Sequence, residues 1–211
     1  MRPIPAALAL LASLTTAGCS VFGGQAAPEP EYRVLVSEPP FEIREYPPLT
    51  VARTTAEGGW DAAVRRGFGR LFDYIGGANA PATEVSMTAP VLTEPQGDSI
   101  PMTAPVSAAP QGDGWRVMFV LPPEYTVATA PRPTHPEVEI ATLPARRMAV
   151  LTFSGTLGDD RIAEARSRLA AWLADRPEAP AGAWQAAGYH PPWTLPWLRR
   201  NEVMVPVAMD G

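Results

Sequence analysis

Apolar residues fall on a helical period in two stretches of this chain and form strand-like runs in six others. Between Trp60 and Ile75 the set Trp60, Val64, Phe68, Leu71, Phe72 and Ile75 lies on one face at helical spacing. Asp61 suits the positive N-terminal end of such a helix, and Gly76-Gly77 supplies a stop. Gly67 and Gly69 each weaken its interior by up to about 1 kcal/mol relative to Ala, and they suit close approach by a neighbour or a ligand. A second helix is predicted from about Asp159 to Ala174, with Ile162, Leu169 and Leu173 along one side. Asp159 or Asp160 can cap it, and Pro177 lies just beyond its end.

The strand-like runs come in matching pairs. Phe41-Glu42-Ile43 followed by Pro47 recurs as Val138-Glu139-Ile140 followed by Pro144, an offset of 97 positions. Each proline separates two runs, Phe41–Tyr46 from Leu49–Thr55 and Val138–Leu143 from Met148–Phe153, with alternation at Leu49/Val51 and Val138/Ile140. Trp115–Leu121 closes the first half and Glu202–Val207 the second. The pattern predicts an α+β domain: duplicated strand-strand-helix-strand units forming a distorted antiparallel sheet or barrel with two main helices.

At 211 residues, 46% hydrophobic and 18% charged, the chain has the composition of a globular protein and length for one good-sized core. Its 26 prolines exceed the usual share of about 5%, so many loops should be rigid. All 17 basic residues are Arg, so every cation is a planar fork suited to carboxylates. A formal charge of −5 with no basic run argues against a nucleic-acid partner.

The N-terminus reads as a leader. Arg2 precedes a short Ala/Leu-rich core from Ile4 to Leu14, and small residues lead to Cys19. That core is shorter than the roughly 20 apolar residues a membrane span needs, and it reads as an export signal over residues 1–18. Ala17-Gly18-Cys19 resembles the end of a bacterial lipobox, in which the Cys is lipidated, although Thr16 stands where Leu is usual; an ordinary secretory signal is the alternative. Cys19 is the only Cys, so no intrachain disulfide forms and no Cys-x-x-Cys-His attachment site exists. Residues 19–31 are then the lipidated Cys and a flexible linker, 32–207 the folded domain and 208–211 a tail.

Candidate chemistry is sparse. His135 and His190 lie in proline-bounded loops and in no zinc-ligand spacing. No nucleophile elbow or phosphate-cradling loop is present. Glu202 and Asn201 invite an enzyme hypothesis, against which stands pairing with Arg199 or Arg200 to pin the last strand. The expectation is a protein without catalytic residues.

Two motifs carry more. One is the ending Tyr189-His190-Pro191-Pro192-Trp193-Thr194-Leu195-Pro196-Trp197-Leu198-Arg199-Arg200-Asn201-Glu202-Val203; the other is Met-Thr-Ala-Pro-Val, present at 87–91 and 102–106. Together they resemble the SOUL / haem-binding protein family over roughly residues 32 to 207. The resemblance implies a duplicated fold and a tetrapyrrole groove along the first helix, where Arg65 matches a basic position of the family. It makes Val64, Arg65, Phe68, Leu71 and Phe72 candidate haem contacts, with Arg65 suited to a propionate. Met87 and Met102 could touch a porphyrin face or ligate iron, but strand ends tucked into the core are the simpler reading. His190 is a departure from the family's Tyr-Asn-Pro-Pro-Trp and a candidate ligand only on its own chemistry.

The resulting expectation is a periplasm-facing bacterial lipoprotein of the outer membrane, holding haem or a related tetrapyrrole non-covalently for sequestration or transfer. Its rivals are an enzyme or effector-binding domain for another hydrophobic small molecule, marked by Glu202 or Glu84, and an envelope interaction module that uses Trp193 and Trp197.

Overall fold

The computed structural model describes residues 27–81 and 97–208. The leader at 1–18, Cys19, Glu84 and the first Met-Thr-Ala-Pro-Val copy with Met87 lie outside the described residues.

The chain runs β1 (Arg33–Glu38), β2 (Phe41–Tyr46), β3 (Leu49–Glu57), α1 (Trp60–Ile75), β4 (Asn79–Ala80), β5 (Val106–Gln111), β6 (Gly114–Val120), β7 (Arg132–Pro133), β8 (Glu139–Leu143), β9 (Arg146–Phe153), α2 (Asp159–Leu173), β10 (Gln185–Gly188) and β11 (Asn201–Val207). Nine strands make one antiparallel sheet in the order β1-β2-β9-β11-β10-β5-β6-β3-β8, and β4 pairs with β7 separately. The architecture is the expected α+β duplication, as a sheet not closed into a barrel. An approximate two-fold passes between β10 and β5, and the halves exchange their first strands: β2 pairs with β9, and β8 pairs with β3.

Both helices lie on one face. α1 covers β3 and β6, while α2 covers β9 and β11. Their inner sides are apolar at the predicted spacing, with Trp60, Ala63, Leu71 and Tyr74 buried on α1 and Ile162, Ala165, Leu169 and Leu173 on α2. Each large side chain so buried contributes about 1.5–3 kcal/mol. A methyl placed on Gly67 would come within 2.6 Å of Val117, so this glycine lets α1 settle onto β6; Gly69 faces open space. Asp159 and Asp160 differ from the capping expectation. Gly158 is the N-cap, without a side-chain bond, and both acids lie in the first turn, where they still favour the positive helix end.

The other face is enclosed by curvature. Pro47-Pro48 joins β2 to β3 and Pro144-Ala145 joins β8 to β9, yet each pair stands six places apart in the sheet. In a flat sheet that is about 29 Å, which two residues cannot span. The sheet must curl, bringing Leu49 of β3 against Tyr46 and Met148 in a second cluster with Ala104, Val150, Ala187, Tyr189 and Met204. The helix-free face is thus the concave one.

Candidate functional site

Two groups of side chains carry the chemistry: the outer flank of α1 and a buried ionic cluster on the concave face.

On α1, Leu71 is fully buried against the sheet, so it supports the flank and does not line it. Val64 and Phe68 are half-buried, and Phe72 is 51% exposed. The Phe68 and Phe72 rings stack, with centroids 5.7 Å apart and planes 14° apart, and Phe68 also meets core Phe119 edge-on at 5.3 Å. Arg65, Phe68 and Phe72 stand at i, i+3 and i+7, so they share one side of the helix. Arg65 is exposed and lines a shallow depression with Asp61, Ala62 and Arg66. A flat, half-exposed aromatic pair backed by the core, with a guanidinium beside it, can stack on an aromatic macrocycle and bind its carboxylate.

The structure puts the two histidines to other uses. His190 Nδ1 accepts the Arg200 backbone N–H at 3.0 Å, closing the base of the loop between β10 and β11, and His135 Nδ1 accepts from Glu137 N–H at 3.1 Å. The second Met-Thr-Ala-Pro-Val copy leads into β5. Its Met102 packs against the main core, the Thr103 hydroxyl donates to the Val120 carbonyl, and Ala104 joins the concave cluster. Trp193 and Trp197 stand 69% and 68% exposed on the β10–β11 loop, held from below by Arg199 Nε donating to Thr194 O at 2.7 Å and by Arg199 Nη2 donating to Pro192 O.

Glu202 is wholly buried and saturated. Arg44 grips it bidentately at 3.0 and 3.1 Å, Arg200 donates from Nε and Nη2 at 3.1 and 2.7 Å, and the Tyr189 hydroxyl donates at 2.6 Å. Arg200 also reaches Glu29, and Arg44 reaches Glu42 and Tyr46. Burial works against the Arg44 cation, but Glu202 and Tyr46 outweigh it and raise its pKa above the ordinary value. Burial and then the Glu202 charge push the Tyr189 phenol far up, while burial lifts Tyr46 to about 12. The Arg200 pairing and the pinning of β11 were legible in the sequence; Asn201 adds a 2.8 Å bond to Gly155 O. Arg44 was not, because its partner lies 158 positions away. A charged residue on the alternating phase of a strand whose neighbours are buried was the available signal.

Several solved structures share this architecture. The EcmrR C-terminal domain superposes with a TM-score of 0.56 at 11% identity, covering 85% of this chain and 99% of that one. A hydrolase from Listeria innocua does so with a TM-score of 0.51 at 10% identity, over 87% and 94%. At such identities the likeness is one of fold. Sequence relatives are more specific: heme-binding protein 2 of Homo sapiens is 28% identical over 165 residues, 77% of this chain and 76% of its own, and the Mus musculus protein matches equally. The family model described as SOUL heme-binding protein matches residues 27–206, which include α1 with its aromatic flank, the concave cluster and the tryptophan loop. With nearly the whole folded region covered, this chain belongs to the SOUL heme-binding protein family.

Proposed function

We propose that the protein binds haem or a related tetrapyrrole non-covalently on the outer flank of α1, for sequestration or transfer in the bacterial cell envelope. The observation that carries this reading is the stacked Phe68–Phe72 pair, half-exposed beside Arg65, in a chain of a haem-binding family. Val64, Phe68 and Phe72 would hold the ring by apolar contact, and Arg65 would take a propionate. Neither histidine is assigned to iron: each accepts a local backbone N–H at Nδ1, which puts the neutral ring's proton on Nε2 and leaves that nitrogen no lone pair for a metal. A bound tetrapyrrole supplies colour and, with iron, redox chemistry; this chain supplies the surface that holds it.

The reading is of a carrier, not an enzyme. Glu202, the strongest acid–base candidate, already meets two guanidiniums and a phenol, so it is spoken for as a structural anion. Haemin titration followed by absorption, with metal-free protoporphyrin alongside, tests the proposal. Saturable one-to-one uptake of both, weakened about tenfold by Phe72→Ala and several-fold by Arg65→Ala, is expected for an apolar surface with one charged contact. Unsaturable uptake, or affinity indifferent to both substitutions, would overturn it.

A second reading is favoured by one observation. Trp193 and Trp197 stand in solvent and not in the core, as an envelope interaction module requires.

A further inference from the structure

Arg44, Arg200 and Arg146 all face the concave side of the sheet, and of these three Arg146 alone has no acidic partner. Arg44 and Arg200 are matched by Glu202, with Glu42 and Glu29 as second acceptors. Arg146 opens β9 on the same phase as Met148 and Val150, which places it on this face. Its Nε and Nη1 are buried and meet no acceptor. The nearest aromatic group is Tyr46, its cross-strand neighbour, whose ring centre lies 6.0 Å from the guanidinium carbon, at the outer limit of cation–π attraction. Burial lowers the Arg146 pKa and Tyr46 opposes that only in part. An arginine nevertheless stays protonated in a protein, so the charge is retained at the cost of its lost hydration.

The duplication shows that the fold does not need this charge. The 97-residue offset maps Arg146 onto Leu49 and Tyr46 onto Leu143. Leu49 pairs with Leu143 in β3–β8 as Arg146 pairs with Tyr46 in β2–β9. The same place in the architecture is built once from two leucines and once from a phenol and an orphaned guanidinium. Leu49 and Arg146 are both only half-buried, beside the exposed prolines Pro47, Pro48 and Pro144. Both lie where the curled sheet comes closest to meeting itself, at the cluster that holds Tyr46 and Met148.

We infer that Arg146 anchors a second binding site, on the concave face, for a carboxylate carried by an apolar body. Nη1, paired with Nη2 at the end of the guanidinium, offers the carboxylate an end-on fork of the kind Arg44 presents to Glu202, and Nε is a further unmatched donor on another edge. Leu49, Tyr46 and the soft side chain of Met148 receive the apolar part. The inference stands independently of the α1 reading, since it uses the opposite face of the sheet. One internal acceptor competes: Glu178 Oε2 is also buried and unmatched, near Pro180, which bridges Val207 beside the start of β9.

Thermal unfolding of the purified protein with decanoate, and with decanol as the uncharged control, tests the site. A saturable rise in Tm of several degrees with decanoate alone is expected for a ligand that binds only the folded state. Arg146→Met and Arg146→Leu, the latter copying the sister position, should melt no lower than the parent without decanoate and lose the decanoate shift. Phe72→Ala should keep it. If saturating haemin abolishes the shift, the carboxylate is a porphyrin's own; Arg146 remains the anchor, and the ring moves from α1 to the concave face. An equal response to decanol, a shift that survives in Arg146→Met, or variants at 146 that melt lower and are matched by Glu178→Gln would each overturn the inference.

Discussion

Glu202 shows how one side chain can organise a protein interior. A carboxylate removed from water is strongly unfavourable unless its lone pairs are filled, and here two guanidiniums and the Tyr189 phenol fill them. The same exclusion of water governs the tyrosines. Tyr46 and Tyr74 are held neutral up to about 12, by burial above all, against an ordinary value of 10.0. A phenol whose folded pKa lies above its unfolded one adds stability that is complete below pH 10 and fades as pH climbs towards 12. Spectrophotometric titration at about 295 nm should therefore find Tyr46, Tyr74 and Tyr189 silent near pH 10 while the native state persists, with ionisation and unfolding coinciding above it. Tyr46→Phe should remove part of that alkaline loss. The sequence disclosed the nearer half of the ionic cluster, Arg200 and Glu202, and concealed the farther, because Arg44 becomes a neighbour only through the pairing of β2 with β9 and β9 with β11.

Among elements, α1 is the most legible, with both bounds where its periodicity and the following glycines put them. Its two internal glycines now part company. Gly67→Ala drives a methyl into Val117 and should destabilise by about 1–3 kcal/mol, as overpacking does. Gly69→Ala meets nothing within 4 Å and should stabilise by up to about 1 kcal/mol through helix propensity, read by urea unfolding of the two variants. β1, β5 and β10 escaped the sequence reading. Gln-Ala-Ala-Gly in β10 has neither alternation nor a branched side chain, and it is a strand because β11 and β5 supply ladders on both sides. The candidate haem flank was half legible. Spacing put Phe68 and Phe72 on an apolar face, but only packing separates Leu71 inside from Phe72 outside.

For the whole molecule, the duplication read from Pro47 and Pro144 proved to be the organising fact, because the two-residue links those prolines open force the sheet to curl. At this scale the envelope reading is tested by location. Cys19→Ala should move the protein from the membrane fraction to the soluble one, and continued membrane retention would rule out a lipid anchor.

The exchange of β2 and β8 reaches beyond the native state. Neither half owns a complete sheet: the outer edge of β3 waits for β8, and β9 is completed on one side by β2, made about a hundred residues earlier. A growing chain therefore has no finished domain to close until almost its last strand, β11, is available to pair with β9. Such late closure keeps the polypeptide threadable while it is being made, the condition under which an unfolded chain can be passed through a membrane before it commits to a shape.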